Sequence, residues 1–364
     1  MSLSVGLVGL PNVGKSTLFN ALSSAEAESE NYPFCTIDPN KGVIAVPDPR
    51  LETIEEHIDP EESIPATVEF LDIAGLVEGA SEGEGLGNQF LSHVREVDAL
   101  VHVVRCFDDE DITHVEGSVD PARDVEIIDT ELILADLETL DSRLEKARRN
   151  AKGEDKEATE RVAVLERVRA TLNEGVPARA MELDAREEEL LADSHLLTQK
   201  PVLYVANVDE AQLDGDSDAV RELEAIAEEE GSEVVPICAT LEAELAELDE
   251  RERREMLATF GIDEPALDTI IRRAYELLGL HTFFTIANDK LRAWALPIGA
   301  TAPQAAGVVH SDFQEHFIRA EVFSVEDLER HGDEAAIREA GDMRVEGKDY
   351  VVHDGDVLRI RHDA

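Results

Sequence analysis

The sequence has few cysteines and no long apolar stretch. No apolar run approaches the roughly 20 residues that a membrane-spanning helix needs, so a membrane protein is not expected. Cys35, Cys106 and Cys238 lie far apart and lack the spacing of a zinc site. A sparse, odd set of cysteines favours a reducing cytoplasm over a disulfide-stabilised secreted protein. No signal peptide precedes Gly9, which favours the same cytoplasmic location.

Basic residues are also scarce. The chain has 33 Lys and Arg against 82 Asp and Glu, a formal net charge of −49. One interpretation is the acidic, hydrated surface of a halophilic protein, which low salt would destabilise through self-repulsion. The alternative is an acidic chain that binds basic partners. The acids are spread along the whole chain rather than gathered in a tail, which favours the first interpretation. Net charge therefore does not exclude RNA as a partner.

A phosphate-binding pattern lies near the start of the chain. Residues 9–17 read GLPNVGKST, which matches G-x-x-x-x-G-K-[ST]. An apolar run at 4–8 predicts a buried strand before it, and 17–22 predicts a helix after it. The helix N-terminus and the loop N–H groups attract phosphate. Lys15 is expected to reach the outer phosphates and Ser16 to bind Mg²⁺. The remaining predicted nucleotide-binding residues of the loop are Asn12, Val13, Gly14 and Thr17.

Two further stretches predict the rest of a magnesium and γ-phosphate site. Thr36, in a turn-rich segment, is the candidate second Mg²⁺ ligand, a plain turn threonine being the alternative. The strand predicted from Thr67 ends in D-x-x-G, where Asp72 would hold a metal-bound water and the Gly75 N–H would touch the γ-phosphate. Leu76 stands where many GTPases carry a glutamine that orients the attacking water. The water must therefore be positioned by another group.

The predicted base-binding loop departs from the guanine pattern. The strand predicted at 201–206 ends in Asn207-Val208-Asp209-Glu210, where GTPases carry N-K-x-D. The aspartate of that pattern accepts two hydrogen bonds from guanine, and the longer Glu210 is poorly placed to replace it. The loop therefore argues against strict guanine specificity, while Asn207 can still meet a purine N7. A second base-flanking loop follows the strand predicted at 234–237 and contains Cys238, Ala239 and Thr240.

A helical hairpin is predicted at about 129–174, with a turn near 150–155. Its first half carries an apolar seam with steps of 4, 3, 4 and 3 residues, formed by Ile133, Leu137, Leu140, Leu144 and Ala147. An apolar stripe continues over 158–172. From Arg143 to Arg169 there are nine basic residues against six acidic ones, a local charge of +3. This charge fits either a salt-bridged helix surface or a contact with a phosphate backbone.

The last part of the chain predicts a small β-rich domain. Six of the sixteen aromatic residues fall within the 41 residues 283–323. Short alternating runs at 319–323, 350–352 and 357–360, with a turn at 354–356, predict strands.

Taken together, these motifs resemble the Obg-like ATPase family of the YchF type. The resemblance rests on GLPNVGKST, NYPFCTIDPN, DIAGLVEGAS, NVDE, RAW, APQAAGVVHSDF, FIRAEV, and EGKDY with DGD. It covers essentially the whole chain. It implies an α/β fold with a Ras-like P-loop nucleotide-binding domain at 1–128 and 200–279, a helical coiled-coil insertion at 129–199, and a C-terminal β-grasp (TGS) domain at 280–364. It also implies hydrolysis of ATP, with GTP a poor substrate.

The same resemblance implies roles for two residues and for the partners. Asn12 matches a residue that holds an activating potassium ion in related GTPases, and His114 matches the proposed catalytic histidine. The implied partner is the ribosome, as the large subunit or a 70S-type particle, with RNA contact through the hairpin and the TGS domain. A monomer is expected. The sequence departs from the family pattern at 285–290 and 295–296. The resemblance therefore does not define the contact surface of the TGS domain.

Two alternatives remain open on the sequence. The chain could be a GTP-dependent assembly factor in which Glu210 recognises guanine. It could also be a nucleotide-regulated binding module whose hydrolysis is vestigial.

Overall fold

The computed structural model describes residues 3–27, 40–73, 86–109, 115–151 and 156–363. Contacts between Cα atoms divide the chain into two units, which are residues 1–42 with 69–270 and residues 43–68 with 271–364. Within the described ranges, no helix has both the length and the apolar character needed to cross a membrane.

The first unit is organised around a six-stranded sheet in the order β2-β4-β1-β5-β6-β7. Its strands are β1 (Ser4–Val8), β2 (Lys41–Ala45), β4 (Thr67–Asp72), β5 (Ala99–Arg105), β6 (Val202–Asn207) and β7 (Glu233–Ile237). β1 pairs in parallel with β4 and β5, and β5, β6 and β7 continue in parallel. Every residue of β1, β5 and β6 is buried, as expected for parallel strands covered on both faces. This is the predicted α/β architecture.

Nine helices accompany this sheet in the described part of the first unit, the last of them crossing into the second. They are α1 (Lys15–Ala27), α3 (Leu86–Glu96), α4 (Pro121–Ala151), α5 (Lys156–Asn173), α6 (Ala185–Leu191), α7 (Asp218–Glu230), α8 (Ala239–Ala246), α9 (Glu250–Phe260) and α10 (Ala266–Leu277). Their ends follow local sequence chemistry. In α7, the Ser217 side chain accepts a hydrogen bond from the Val220 N–H, and Gly231 ends the helix with a φ of 68°.

The predicted hairpin corresponds to α4 and α5. α4 begins at Pro121, eight residues before the predicted start, because proline suits the first turn of a helix. The turn was predicted to begin near residue 150, but α4 continues to Ala151. The rest of the predicted turn, 152–155, lies outside the described residues. The predicted seam is confirmed. Ile133, Leu140, Leu144 and Ala147 are buried in one cluster with Val164, Leu165, Val168 and Leu172 of α5.

A buried polar network ties the base of the hairpin to the sheet. Arg179, in a short 3-10 helix after α5, donates from Nη2 to both carboxylate oxygens of Asp129 at 2.7 and 2.6 Å. Its Nε donates to Glu230 at 2.8 Å, and the Tyr204 hydroxyl donates to the same carboxylate at 2.8 Å. Burial raises the pKa of Asp129, and the neighbouring guanidinium opposes that rise. A buried charge set of this kind is costly to break because each remaining charge would lose its partner.

The second unit contains a sheet in the order β11-β10-β12-β8-β9-β3. Its strands are β3 (Glu62–Ile64), β8 (Leu280–Ala287), β9 (Lys290–Pro297), β10 (Phe317–Ser324), β11 (Arg344–Glu346) and β12 (Asp356–His362), and its helices are α2 (Pro49–Ile58), α11 (Ala302–Val309), α12 (Ser311–Glu315), α13 (Val325–His331) and α14 (Glu334–Ala340). The β8–β9 hairpin turns at Asn288 and Asp289, whose φ values of 54° and 57° suit a tight hairpin turn. The run at 350–352 forms only an isolated bridge, between Thr301 and Val351, and not the predicted strand.

Residues 43–68 belong to this second unit, although the sequence placed them inside the nucleotide-binding domain. β3 pairs in parallel with β9, starting at Glu62 opposite Lys290. Arg50 of α2 binds Asp354 at 2.8 Å and lies 5.5 Å from the centroid of the Phe284 ring. The second unit is therefore assembled from two separate parts of the chain.

Candidate nucleotide-binding site

The phosphate-binding loop has the backbone geometry that its glycines predict. Gly14 has a φ of +96°, a conformation that residues with a Cβ rarely adopt. A Cβ at this position would lie 2.2 Å from the Asn207 amide nitrogen, so even alanine would clash. Asn12 is left-handed as well, with a φ of 66°. α1 begins directly after the loop at Lys15, which places a helix N-terminus at the site.

Lys15 and Asp72 come together at the edge of the sheet. β1 pairs with β4 so that Leu7 lies opposite Asp72, and the carboxyl ends of both strands reach the same edge. The Lys15 Nζ donates to Asp72 Oδ1 in a close ion pair, with 9% and 18% of the two side chains exposed. The exposed Ser16 follows Lys15 directly. The structure thus brings together the predicted phosphate-binding lysine and a predicted metal-binding carboxylate.

Three other predicted residues cannot be placed. Thr36, Gly75 and His114 lie outside the described residues.

Asn207 joins the phosphate-binding loop to the second base-flanking loop. Its Nδ2 donates to the Val13 carbonyl at 2.9 Å, and its Oδ1 accepts from the Ala239 N–H at 3.0 Å. The side chain is buried, with 5% of the residue exposed. Both ends of the amide are therefore held by the protein, and its contact with a purine would come in addition to this structural role.

These elements surround a cavity of about 520 Å³ at the carboxyl edge of the sheet. Nine of the predicted nucleotide-binding residues line it, namely Asn12, Gly14, Thr17, Asn207, Val208, Glu210, Cys238, Ala239 and Thr240. The buried Val13 instead offers its carbonyl to Asn207. Val208 is also buried, with 2% exposed, and its N–H donates to the Ile237 carbonyl at 2.8 Å. Glu210 is exposed and begins a 3-10 helix.

Sequence reasoning missed Phe107 and Asp109, which also line the cavity. Both follow β5 at its carboxyl end. In open α/β sheets ligands bind at that end of the strands, so this rule could have identified the loop from the apolar run that forms β5. No motif marks it.

Two buried titratable groups near β5 have shifted pKa values. Burial lowers the pKa of His102 to about 3, so its imidazole is neutral at physiological pH. Burial raises the pKa of the Cys106 thiol to about 12, which keeps it protonated. Neither group is therefore suited to acid–base or nucleophilic chemistry.

The sheet order, the glycine loop leading into α1 and the Lys15–Asp72 pair define a P-loop nucleotide-binding domain of the Ras-like class. The family model MMR_HSR1, described as "50S ribosome-binding GTPase", matches residues 4–134. A second model, YchF-GTPase_C, described as "Protein of unknown function (DUF933)", matches residues 280–363.

Comparison with individual proteins narrows this class to one family. "Ribosome-binding ATPase YchF" of Escherichia coli O157:H7 is 51% identical over 360 residues, covering 98% of both chains. The protein of the same name from Bacillus subtilis is 50% identical over 366 residues, covering 100% of both. The solved structure of the Schizosaccharomyces pombe YchF GTPase matches with a TM-score of 0.90 and 39% identity, covering 99% of this chain and 98% of that one. The chain belongs to the YchF family.

Proposed function

We propose that this chain is a cytoplasmic, Mg²⁺-dependent ATPase that acts as a nucleotide-dependent switch on the ribosome. The observation that carries the proposal is the cavity itself. It joins Asn12, Gly14 and Thr17 of the phosphate-binding loop to a base loop that contains Val208 and Glu210 in place of the guanine-reading residues. The curated relatives are named as ribosome-binding ATPases, which supports both parts of the proposal.

ATP is the proposed substrate because Glu210, longer than the aspartate of the guanine pattern, is poorly placed to accept both hydrogen bonds from guanine. A site built to pair a polar group discriminates strongly, and a site without that partner does not. Val208 is buried and hydrogen-bonded through its backbone, so it contributes an apolar wall. The S. pombe relative is called a GTPase, which keeps GTP as the competing candidate.

Magnesium suits the oxygen groups at the phosphate end. A hydroxyl from Ser16, the Asp72 carboxylate and Thr36 are the residues that would hold it, together with phosphate oxygens. When bound, Mg²⁺ would neutralise charge on the outer phosphates. Lys15 would stabilise the same charge, Gly75 would donate its N–H to the γ-phosphate, and His114 would help to orient water. The exposed, left-handed Asn12 is our proposed potassium ligand.

Calorimetric titration of Mg-ATP and Mg-GTP at high KCl tests the nucleotide assignment. We expect tighter binding of ATP, and a loss of at least about tenfold in ATP affinity for Lys15→Ala, together with loss of phosphate release. Lys290→Ala is the matched control, because Lys290 also pairs with a carboxylate on a neighbouring strand, Glu62, but belongs to the second unit. Tighter binding of GTP would instead identify a GTP-dependent factor.

Ribosome binding is proposed to involve the coiled-coil hairpin and the C-terminal TGS-type domain of a monomer. The hairpin arginines already make exposed ion pairs, such as Arg148 with Glu166 at 2.7 Å and Arg149 with Glu145 at 3.4 Å. Exposed pairs contribute little to stability, so these arginines can exchange partners for RNA phosphates at little cost.

Charge reversal tests this contact. Arg148→Glu with Arg149→Glu should weaken co-sedimentation with ribosomes, while reversal of the exposed Arg251 and Arg254 on α9 gives the same change in net charge as a control. Equal sedimentation of the two double variants would contradict a specific hairpin contact. If Lys15→Ala left ribosome binding and its nucleotide dependence unchanged, the chain would be a binding module with vestigial hydrolysis.

A further inference from the structure

Arg105, the last residue of β5, is buried and directed onto the loop that follows it. It is 2% exposed. Its Nε donates to the Phe107 carbonyl at 3.1 Å and its Nη2 donates to the Asp109 carbonyl at 3.2 Å. The guanidinium carbon also lies 4.4 Å from the centroid of the Phe107 ring. One side chain therefore holds the loop at two backbone points and at one ring.

The loop that Arg105 holds lies at the nucleotide cavity. Phe107 and Asp109 line the nucleotide cavity, whereas Arg105 stands behind them and does not. β5 lies between β1, which leads into the phosphate-binding loop, and β6, which leads into the base loop. An aromatic ring provides no donor for phosphate but packs well against a nucleoside.

We propose that Arg105 is a positioning residue that holds Phe107 against the nucleoside part of ATP. This inference rests on the proposed nucleotide-binding function. Arginine suits the task because its planar fork donates to two carbonyls while its face lies on a ring, which lysine cannot do. Holding the loop in its binding conformation before ATP arrives lowers the ordering cost of binding.

The test compares Mg-ATP with Mg-tripolyphosphate, which lacks a nucleoside, by calorimetry on the full chain. Arg105→Met should weaken ATP binding about tenfold and leave tripolyphosphate binding within about twofold. Arg105→Lys should also weaken ATP binding, because charge alone does not restore the fork. Arg179→Lys is the control, because the Arg179 side chain is only 5% exposed and does not line the cavity, so this variant should lower the melting temperature without changing ATP affinity. Equal losses for both ligands, or unchanged ATP binding, would overturn the proposal.

A double-mutant cycle tests whether Arg105 acts through Phe107, and it uses lysine because the methionine variant can fail to fold. If the proposal holds, Arg105→Lys combined with Phe107→Ala should bind ATP no more weakly than Phe107→Ala alone. Additive losses would overturn it. Failure of the unmodified chain to bind either ligand would contradict the proposed function instead of the role of Arg105.

Discussion

Removing the Asn207 amide should weaken both the fold and ATP binding. Asn207→Ala leaves the Val13 carbonyl and the Ala239 N–H without their partner, and the residue is only 5% exposed. Each unsatisfied buried group costs about 1–3 kcal/mol, so we expect a loss of about 2–6 kcal/mol in the free energy of unfolding. That is a large share of the roughly 5–15 kcal/mol that stabilises a typical domain. Urea denaturation followed by circular dichroism at high KCl measures it.

Two companion variants sharpen the result. Asn207→Asp keeps an acceptor for the Ala239 N–H but places a carboxylate oxygen against the Val13 carbonyl, so it should also be destabilising. Asn173→Ala removes an amide that donates to a backbone carbonyl at 2.7 Å on an exposed surface, and it should cost less than about 1 kcal/mol. If Asn207→Ala matched Asn173→Ala in stability and left ATP affinity unchanged, the joining role of Asn207 would be refuted.

Three further variants test other parts of the structure. Burial raises the pKa of Glu242 to about 7. The folded state therefore holds a proton that the unfolded state releases above about pH 4.5, and this group's contribution to stability falls as pH rises from about 4.5 to 7. Glu242→Gln should match the unmodified chain near pH 5 and exceed it by about 1–3 kcal/mol near pH 8 in denaturation curves; a constant difference would contradict this. Asp136 accepts from the backbone N–H groups of Leu197 and Thr198, both at 2.8 Å, so Asp136→Ala should lower stability by about 2–4 kcal/mol in urea titrations, and a loss below about 1 kcal/mol would argue against it. Gly14→Ala should abolish most ATP binding in calorimetry because its Cβ would meet Asn207, and near-normal affinity would show that the loop can shift.

Local patterns predicted the nucleotide-binding core well. The glycine loop and the apolar runs of β1 and β6 are short-range features, so position in the sequence places Lys15 at the start of α1 and Asn207 at the end of β6. The Lys15–Asp72 pair then follows from parallel strands sharing an edge. The seam of the hairpin was equally readable, since it depends only on the helical repeat.

The parts that sequence did not reveal depend on distant contacts. Phe107 belongs to a loop without a motif, so only the general rule that ligands bind at the carboxyl ends of parallel strands points to it, and the cavity lining shows which residue of the loop is involved. Residues 43–68 carry an ordinary amphipathic helix and a three-residue strand, neither of which indicates its partner. Their place beside β9 is set by pairing with a strand more than two hundred residues away.

The divided origin of the second unit constrains how the chain can fold during synthesis. The Glu62–Lys290 pair spans 228 residues and the Arg50–Asp354 pair spans 304. α2 and β3 therefore leave the ribosome long before β9 and Asp354 are synthesised. Until then, the apolar residues of α2 and β3 lack these native contacts. Closing such long loops is slow, and surface exposed during the delay favours aggregation. At a synthesis rate of roughly 5–20 residues per second, this delay lasts about 10–60 seconds. A chain truncated before β9 would never form these contacts.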